Sequence, residues 1–251
     1  MNKFCSEYIM ANHKYLKAKL DSMPTFHFGM HGGKRTIRVS VKGRNGKRTR
    51  KESIQGGRRY KEYSDQMAER EKLSKQMEYF DQELRKRRLI VPENVSVCPP
   101  NTKFTAKLWM EMVTGLNELG KGKGYYDNHM NNVDSRGEML IAGALDDLHL
   151  EYKYEALYHL NSYRKIFPDF VVLIPALERF FFIEFMGMAD DPNYMDNNSS
   201  RIENYIRNGI YPGRDLLIIV GDRNYLPTDN AVKNRIISFI NDLTLDSVFI
   251  P

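Results

Sequence analysis

Two cysteines, Cys5 and Cys98, in 251 residues are too few for a disulfide framework, and neither stands at zinc-ligand spacing from a histidine. A reducing, cytoplasmic setting is the expectation. No apolar run approaches the roughly 20 residues of a membrane helix, and charges interrupt MNKFCSEYIMANHKYLKAKL every few residues, which excludes a signal-peptide core. No membrane partner is expected. GKGKG at 120–124 lacks P-loop spacing and follows no strand, so a phosphate-binding glycine loop is missing as well. His129, His149 and His159 stand without partners at metal-ligand spacing.

What is present is enough apolar residue, 41%, for an ordinary core, and an uneven charge. Residues 1–90 hold 23 Lys and Arg against 10 Asp and Glu, whereas the rest of the chain holds 15 against 22. A basic arm joined to a mildly acidic body suits a protein that grips a polyanion with one part and gathers carboxylates in the other. A basic surface serving solubility alone is the competing reading.

The spacing of Phe4, Tyr8, Ile9, Leu16 and Leu20 predicts a short amphipathic helix stopped at Pro24. Ile37, Val39 and Val41 then alternate with Thr36, Arg38 and Ser40 between the turn signals His31-Gly32-Gly33 and Arg44-Asn45-Gly46, which predicts a β-hairpin or three-stranded meander. Arg38, Lys42, Arg44, Lys47, Arg48, Arg50, Lys51, Arg58 and Arg59 make this segment a candidate nucleic-acid contact, since two-stranded ribbons fit the DNA major groove. From 60 to 88 a stripe of Tyr63, Met67, Leu73, Met77, Phe80 and Leu84 predicts a long helix. Its spacing is too irregular for a committed coiled coil, but it could mediate a homo-oligomer.

VPENVSVCPPN at 91–101 is the best boundary, so residues 1–90 read as the arm, 91–130 as connector and helix, and 131–251 as a second domain. A helix is expected over 104–119. Beyond Ser135 the pattern reads helix, strand (EYKYEALYHL), strand (FPDFVVLI), strand (ERFFFIEF), helix, strand (RDLLIIVG), helix. The expected fold class is α/β, a mixed sheet with helices on its faces.

If PDFVVLI and RFFFIEF form a hairpin centred between Ala176 and Leu177, Asp169 lies opposite Glu184 on one sheet face. Two like charges so placed destabilise a hairpin unless something cationic lies between them. A hard cation such as Mg²⁺ or Mn²⁺, which takes oxygen ligands and keeps several waters, suits the pair. The alternatives stay open: Asp169 after Pro168 could cap a turn, Glu184 could pair with an arginine, and a one-residue slip would separate the acids.

FPDF, followed by IEFMG and set within a helix-strand-strand-strand-helix-strand order, resembles the PD-(D/E)XK nuclease superfamily, the restriction-endonuclease-like fold, over about residues 130–245. IEFMGMADDPNY and NGIYPGRDLLI are similar to a bacterial group with a WExxGMxDDPxY stretch, whose members often carry a basic hairpin and long helix ahead of the domain. The resemblance implies that Asp169 and Glu184 are metal ligands, that the Phe185 carbonyl is a further ligand, and that Glu138 is the helix acid. SRGE is also a capping box, which would bind Glu138 to the Ser135 amide instead. The superfamily's motif lysine falls on Met186, which can neither orient water nor carry charge. Lys153 on the neighbouring strand or Arg201 on the following helix could supply the missing cation. Asp190 and Asp191 read as a turn leading into that helix.

The expected function is therefore metal-dependent phosphodiester hydrolysis, with DNA as the polyanion and Asp169, Glu184, Glu138 and Lys153 as the catalytic set. The alternative is an inactive nuclease-fold protein that binds DNA or serves assembly.

Overall fold

A computed structural model describes residues 3–42, 48–98, 103–116 and 124–250. Arg44 and Lys47 lie outside the described residues. By internal contacts the chain divides into two units, one of residues 1–8 with 94–251 and one of residues 9–93. It is a mixed α/β structure, and among the described residues no helix is long and apolar enough to cross a membrane.

Helix α1 (Ser6–Ser22) is followed by strands β1 (Thr25–His31), β2 (Lys34–Lys42) and β3 (Arg48–Ile54), and then by helix α2 (Tyr60–Arg87). The three strands form an antiparallel meander in the order β1-β2-β3. Gly32 and Gly33 form the two-residue loop between β1 and β2, and both have positive φ, which a tight hairpin of right-handed twist requires. Alternation then separates the faces. Ile37 and Val39 are buried with Tyr63 of α2, flanked by Phe26 and Tyr60, while Arg38 between them points the other way.

In the other unit, helix α3 (Ala106–Glu111) precedes α4 (Arg136–Asp147), β4 (Glu151–Tyr154), β5 (Phe170–Ile174), β6 (Arg179–Met186), α5 (Pro192–Arg207), β7 (Leu216–Val220) and α6 (Asp229–Leu245). The sheet runs β7-β6-β5-β4, antiparallel except for the parallel pair β6 and β7. Both faces are covered, so β5 and most of β6 are buried on each side. One face sets Val171, Phe180, Phe182 and Leu216 against Phe104, Trp109 and Tyr205. The opposite face carries Phe181, whose ring packs 4.9 Å from that of Phe239 on α6.

Within the described residues 104–116, helix α3 is shorter than expected; residues 117–119 of the expected 104–119 helix lie outside the described residues. Met112 turns to extended geometry, and the Val113 carbonyl accepts from the Leu157 amide, so the chain leaves the helix to bond elsewhere. Helix α5 starts where the Asp-Asp-Pro turn implied. The Asp191 carboxylate accepts from the amides of Asn193 and Tyr194, and Pro192 fills the first helical position, where a missing N–H costs nothing.

Candidate functional site

The β5–β6 register pairs Phe170 with Ile183 and Val171 with Phe182, the register that a turn centred between Ala176 and Leu177 predicts. Asp169, one residue before β5, therefore comes opposite Glu184, and the two carboxyl groups interact directly. Their side chains are 16% and 3% exposed.

Each acid is held by a neutral donor. The Phe185 N–H donates to Asp169 Oδ2 at 2.6 Å, and the Tyr205 hydroxyl donates to Glu184 Oε1. Each turns its other oxygen toward the same cation: Arg201 Nη2 lies 2.8 Å from Glu184 Oε2 and 3.8 Å from Asp169 Oδ1. The same nitrogen donates to the Phe167 carbonyl at 3.0 Å. Arg201 and Tyr205 stand four residues apart on α5, one helical turn, and so address the same carboxylate.

Two acids share one guanidinium, and the electrostatics follow from that imbalance. Burial, with Glu138 adding to it, pushes the Asp169 carboxyl up to about 6 against the pull of Arg201. Burial and the neighbouring Asp169 raise Glu184 well above the carboxylate range. The Tyr205 hydroxyl is raised by burial and by Glu184. Burial works against the Arg201 cation, yet Glu184, Tyr205 and Asp169 outweigh it and hold its pKa above the usual value. The pair titrates as a unit that favours one retained proton or one further positive charge.

The other expected members are elsewhere. Glu138 Oε1 accepts from the Ser135 hydroxyl at 2.7 Å, and Oε2 accepts from the Asp134 amide at 2.9 Å and the Tyr154 hydroxyl at 2.7 Å. Ser135 caps α4 by accepting from the Glu138 amide. Glu138 thus closes a capping arrangement, through the Asp134 amide rather than that of Ser135, and reaches Asp169 only through its field. Lys153 Nζ donates to the carbonyls of Trp109 and Met112, at 2.7 Å each, and sits 4.4 Å from the Trp109 ring centroid. That amine closes the end of α3; the acids take their positive charge from Arg201. Met186 is buried. Asp190 and Asp191 bind Arg223 and the start of α5, a structural use.

Sequence reasoning missed the seat of Phe185. A Cβ at Gly137 of α4 would lie 2.0 Å from the Phe185 Cε1 atom, one at Gly187 2.7 Å from that atom, and one at Gly221 3.2 Å from its Cζ. Three glycines thus make room for the ring whose backbone N–H fixes Asp169. Tyr205 was missed as well; its spacing from Arg201 was the available signal.

In the other unit the register divides the basic residues. Arg38 and Arg50 lie on the sheet face opposite Ile37 and Val39, and the paired positions Lys42 and Arg48 continue that face. Arg38 pairs with Glu52 at 3.2 Å. Lys51, opposite Val39, falls on the helix-covered face. Arg58 and Arg59 are exposed in the turn before α2, at the other end of β3 from Arg48.

No protein-family model, curated protein or solved structure matches the chain.

Proposed function

We propose that this protein is a divalent-metal-dependent phosphodiesterase that acts on DNA, with Asp169 and Glu184 as the metal-holding carboxylates. The observation that carries the reading is the division of labour among their oxygens. Asp169 Oδ2 and Glu184 Oε1 are fixed by neutral donors, while Asp169 Oδ1 and Glu184 Oε2 converge on one cation. Two hard oxygens from buried acids, short of one positive charge, fit Mg²⁺ or Mn²⁺. Among the described residues no group of three or more His, Cys, Asp or Glu could hold a metal, so water and main-chain oxygen, the Phe185 carbonyl being one candidate, would complete the shell. The element order α4-β4-β5-β6-α5-β7 supports a restriction-endonuclease-like core.

When bound, such an ion lowers the pKa of its water and neutralises charge developing on phosphorus. The chain's own residues do the rest. Glu184 is held in place by Tyr205, and Asp169 by the Phe185 amide. Arg201 takes the electrostatic part of the lysine that Met186 cannot play: a guanidinium stays charged and binds phosphate oxygens in a fork, but it does not remove a proton. Deprotonation of the attacking water therefore falls to the acids or to solvent.

A second reading, a nuclease-fold protein that binds DNA without cutting it, is favoured by Met186 and by the contact Arg201 already makes with Glu184. Calorimetric titration of Mn²⁺ separates the two. Binding to the wild type that is lost in Asp169→Ala, together with Mn²⁺-dependent cutting lost in the same variant, is the expected result. Absence of Mn²⁺ binding by the wild type, or cutting that persists in Asp169→Ala, overturns the metal reading.

A further inference from the structure

We infer that the open face of the three-stranded sheet, and not the arm's positive charge at large, is a docking surface for duplex DNA. The inference deepens the proposed reading by naming the form of its polyanion, and rests on that reading only in taking DNA as the substrate. The two faces of the sheet differ in kind. The inner one buries Ile37 and Val39 with Tyr63. The outer one presents, by strict alternation from those residues, Thr25 and His27 on β1, Arg38 and Ser40 on β2, and Arg50 on β3. Arg38 and Arg50 are exposed, and the positions of Lys42 and Arg48 extend the same face.

Three observations select the partner. First, the polar side chains stand in rows with one arginine in each: Arg38 between His27 and Glu52, and Arg50 beside Ser40 and Thr25. Successive rows on one face are about 7 Å apart, close to the spacing of phosphates along a strand, and the three strands span about 10 Å, within the roughly 12 Å of a B-form major groove. Second, beside Glu52 and the exposed Ile54 at its edge, this face carries arginine, serine, threonine and histidine, types that reach phosphates and base edges. Phe26 and Phe28 fall on the opposite face by the same alternation, so the outer face lacks the aromatic platform on which single strands stack. Third, A-form RNA closes its major groove to side chains, which leaves a DNA duplex as the form a sheet can enter. Among the described residues Glu52 is the one acid on this face. It holds Arg38 in an exposed pair, which a phosphate can displace because such pairs are weak.

The test uses the full chain in EDTA, so that cleavage plays no part, and reads fluorescence anisotropy of a short mixed-sequence DNA duplex over a range of salt. Arg38→Ala with Arg50→Ala is expected to weaken binding about tenfold or more and to flatten the salt dependence by about two units of slope. Arg35→Ala with Lys51→Ala removes the same charge from the other face and is expected to change affinity less than about threefold. Glu52→Gln, which keeps the shape and releases Arg38, is expected to tighten binding. Equal losses from the two arginine-containing pairs, no loss from Arg38→Ala with Arg50→Ala, or weaker binding by Glu52→Gln each overturn the inference. So does a single strand or an RNA duplex bound as tightly as the DNA duplex. None of these results bears on Mn²⁺ binding at Asp169, which tests the proposed reaction separately.

Discussion

Arg201 donates to Glu184 at 2.8 Å, joining helix α5 to the end of strand β6, and it is the cation that lets Glu184 and Asp169 face each other on one sheet surface. Removing it leaves two buried acids with neutral donors only. Breaking a buried pair costs about 3–5 kcal/mol, and the 38% exposure of the Arg201 side chain lowers the expectation for Arg201→Met to about 1–3 kcal/mol. Urea unfolding measures this. Adding Glu184→Gln should recover part of the loss, because the second change removes the charge that the first left uncompensated. A fully stable Arg201→Met protein would show that Arg201 is not the compensating group.

The raised Asp169 pKa fixes the sign of a pH dependence. The folded protein holds this proton up to about 6, whereas the unfolded chain releases it near 3.8. Between those values the folded state binds more protons, so the contribution of Asp169 is fully present below about 3.8 and lost as pH rises through about 6. Glu184, also raised, extends the loss to higher pH. Unfolding temperature followed over this window should fall for this reason in metal-free wild type, and Asp169→Asn should remove part of the slope. A slope identical in the two proteins would contradict it. Mn²⁺ in excess should flatten the wild-type curve by favouring the ionised pair.

The facing of the two acids is legible in the sequence once the turn is centred between Ala176 and Leu177, because β parity is strict; the pattern alone leaves a one-residue slip open, and the observed register closes it. The identity of the cation is not. Lys153 lies on the adjacent strand in the right register, opposite Val171 and on the face of the acids, but its amine ends on the Trp109 and Met112 carbonyls at the close of α3. That outcome depends on α3 stopping at Glu111, which its apolar pattern does not signal. Arg201 reaches the acids because α5 packs over the same face, a tertiary placement beyond the reach of local sequence. For Glu138 the local pattern does carry the answer: Ser-x-x-Glu makes a cap, and the resemblance to a helix acid points elsewhere.

Tyr205→Phe removes a single oxygen atom and separates support from chemistry. Glu184 Oε1 loses the hydroxyl that donates to it in a buried site, a loss of about 1–3 kcal/mol in unfolding free energy. If Glu184 holds a metal, the same change should weaken Mn²⁺ binding about tenfold, as loss of a ligand's supporting hydrogen bond does. Calorimetry and urea unfolding on one preparation report both effects. A stability loss with no binding event in either protein would leave Tyr205 a structural residue and favour the non-cutting reading.

Gly137→Ala tests whether the ring of Phe185 is part of the site's construction. In an open helix this exchange stabilises by about 0.5–1 kcal/mol, because glycine gives up more backbone freedom on folding. Here the new Cβ would lie 2.0 Å from Phe185 Cε1, so either the ring or α4 must move. The expected result is destabilisation by about 1–3 kcal/mol, the range for overpacking a filled core. The Phe185 N–H that fixes Asp169 would move with the ring, so Mn²⁺ affinity should drop as well. Phe185→Leu placed beside Gly137→Ala removes the colliding atoms and should return most of the stability. A stabilised Gly137→Ala protein would mean that propensity governs the position and that the close approach of α4 to Phe185 does not.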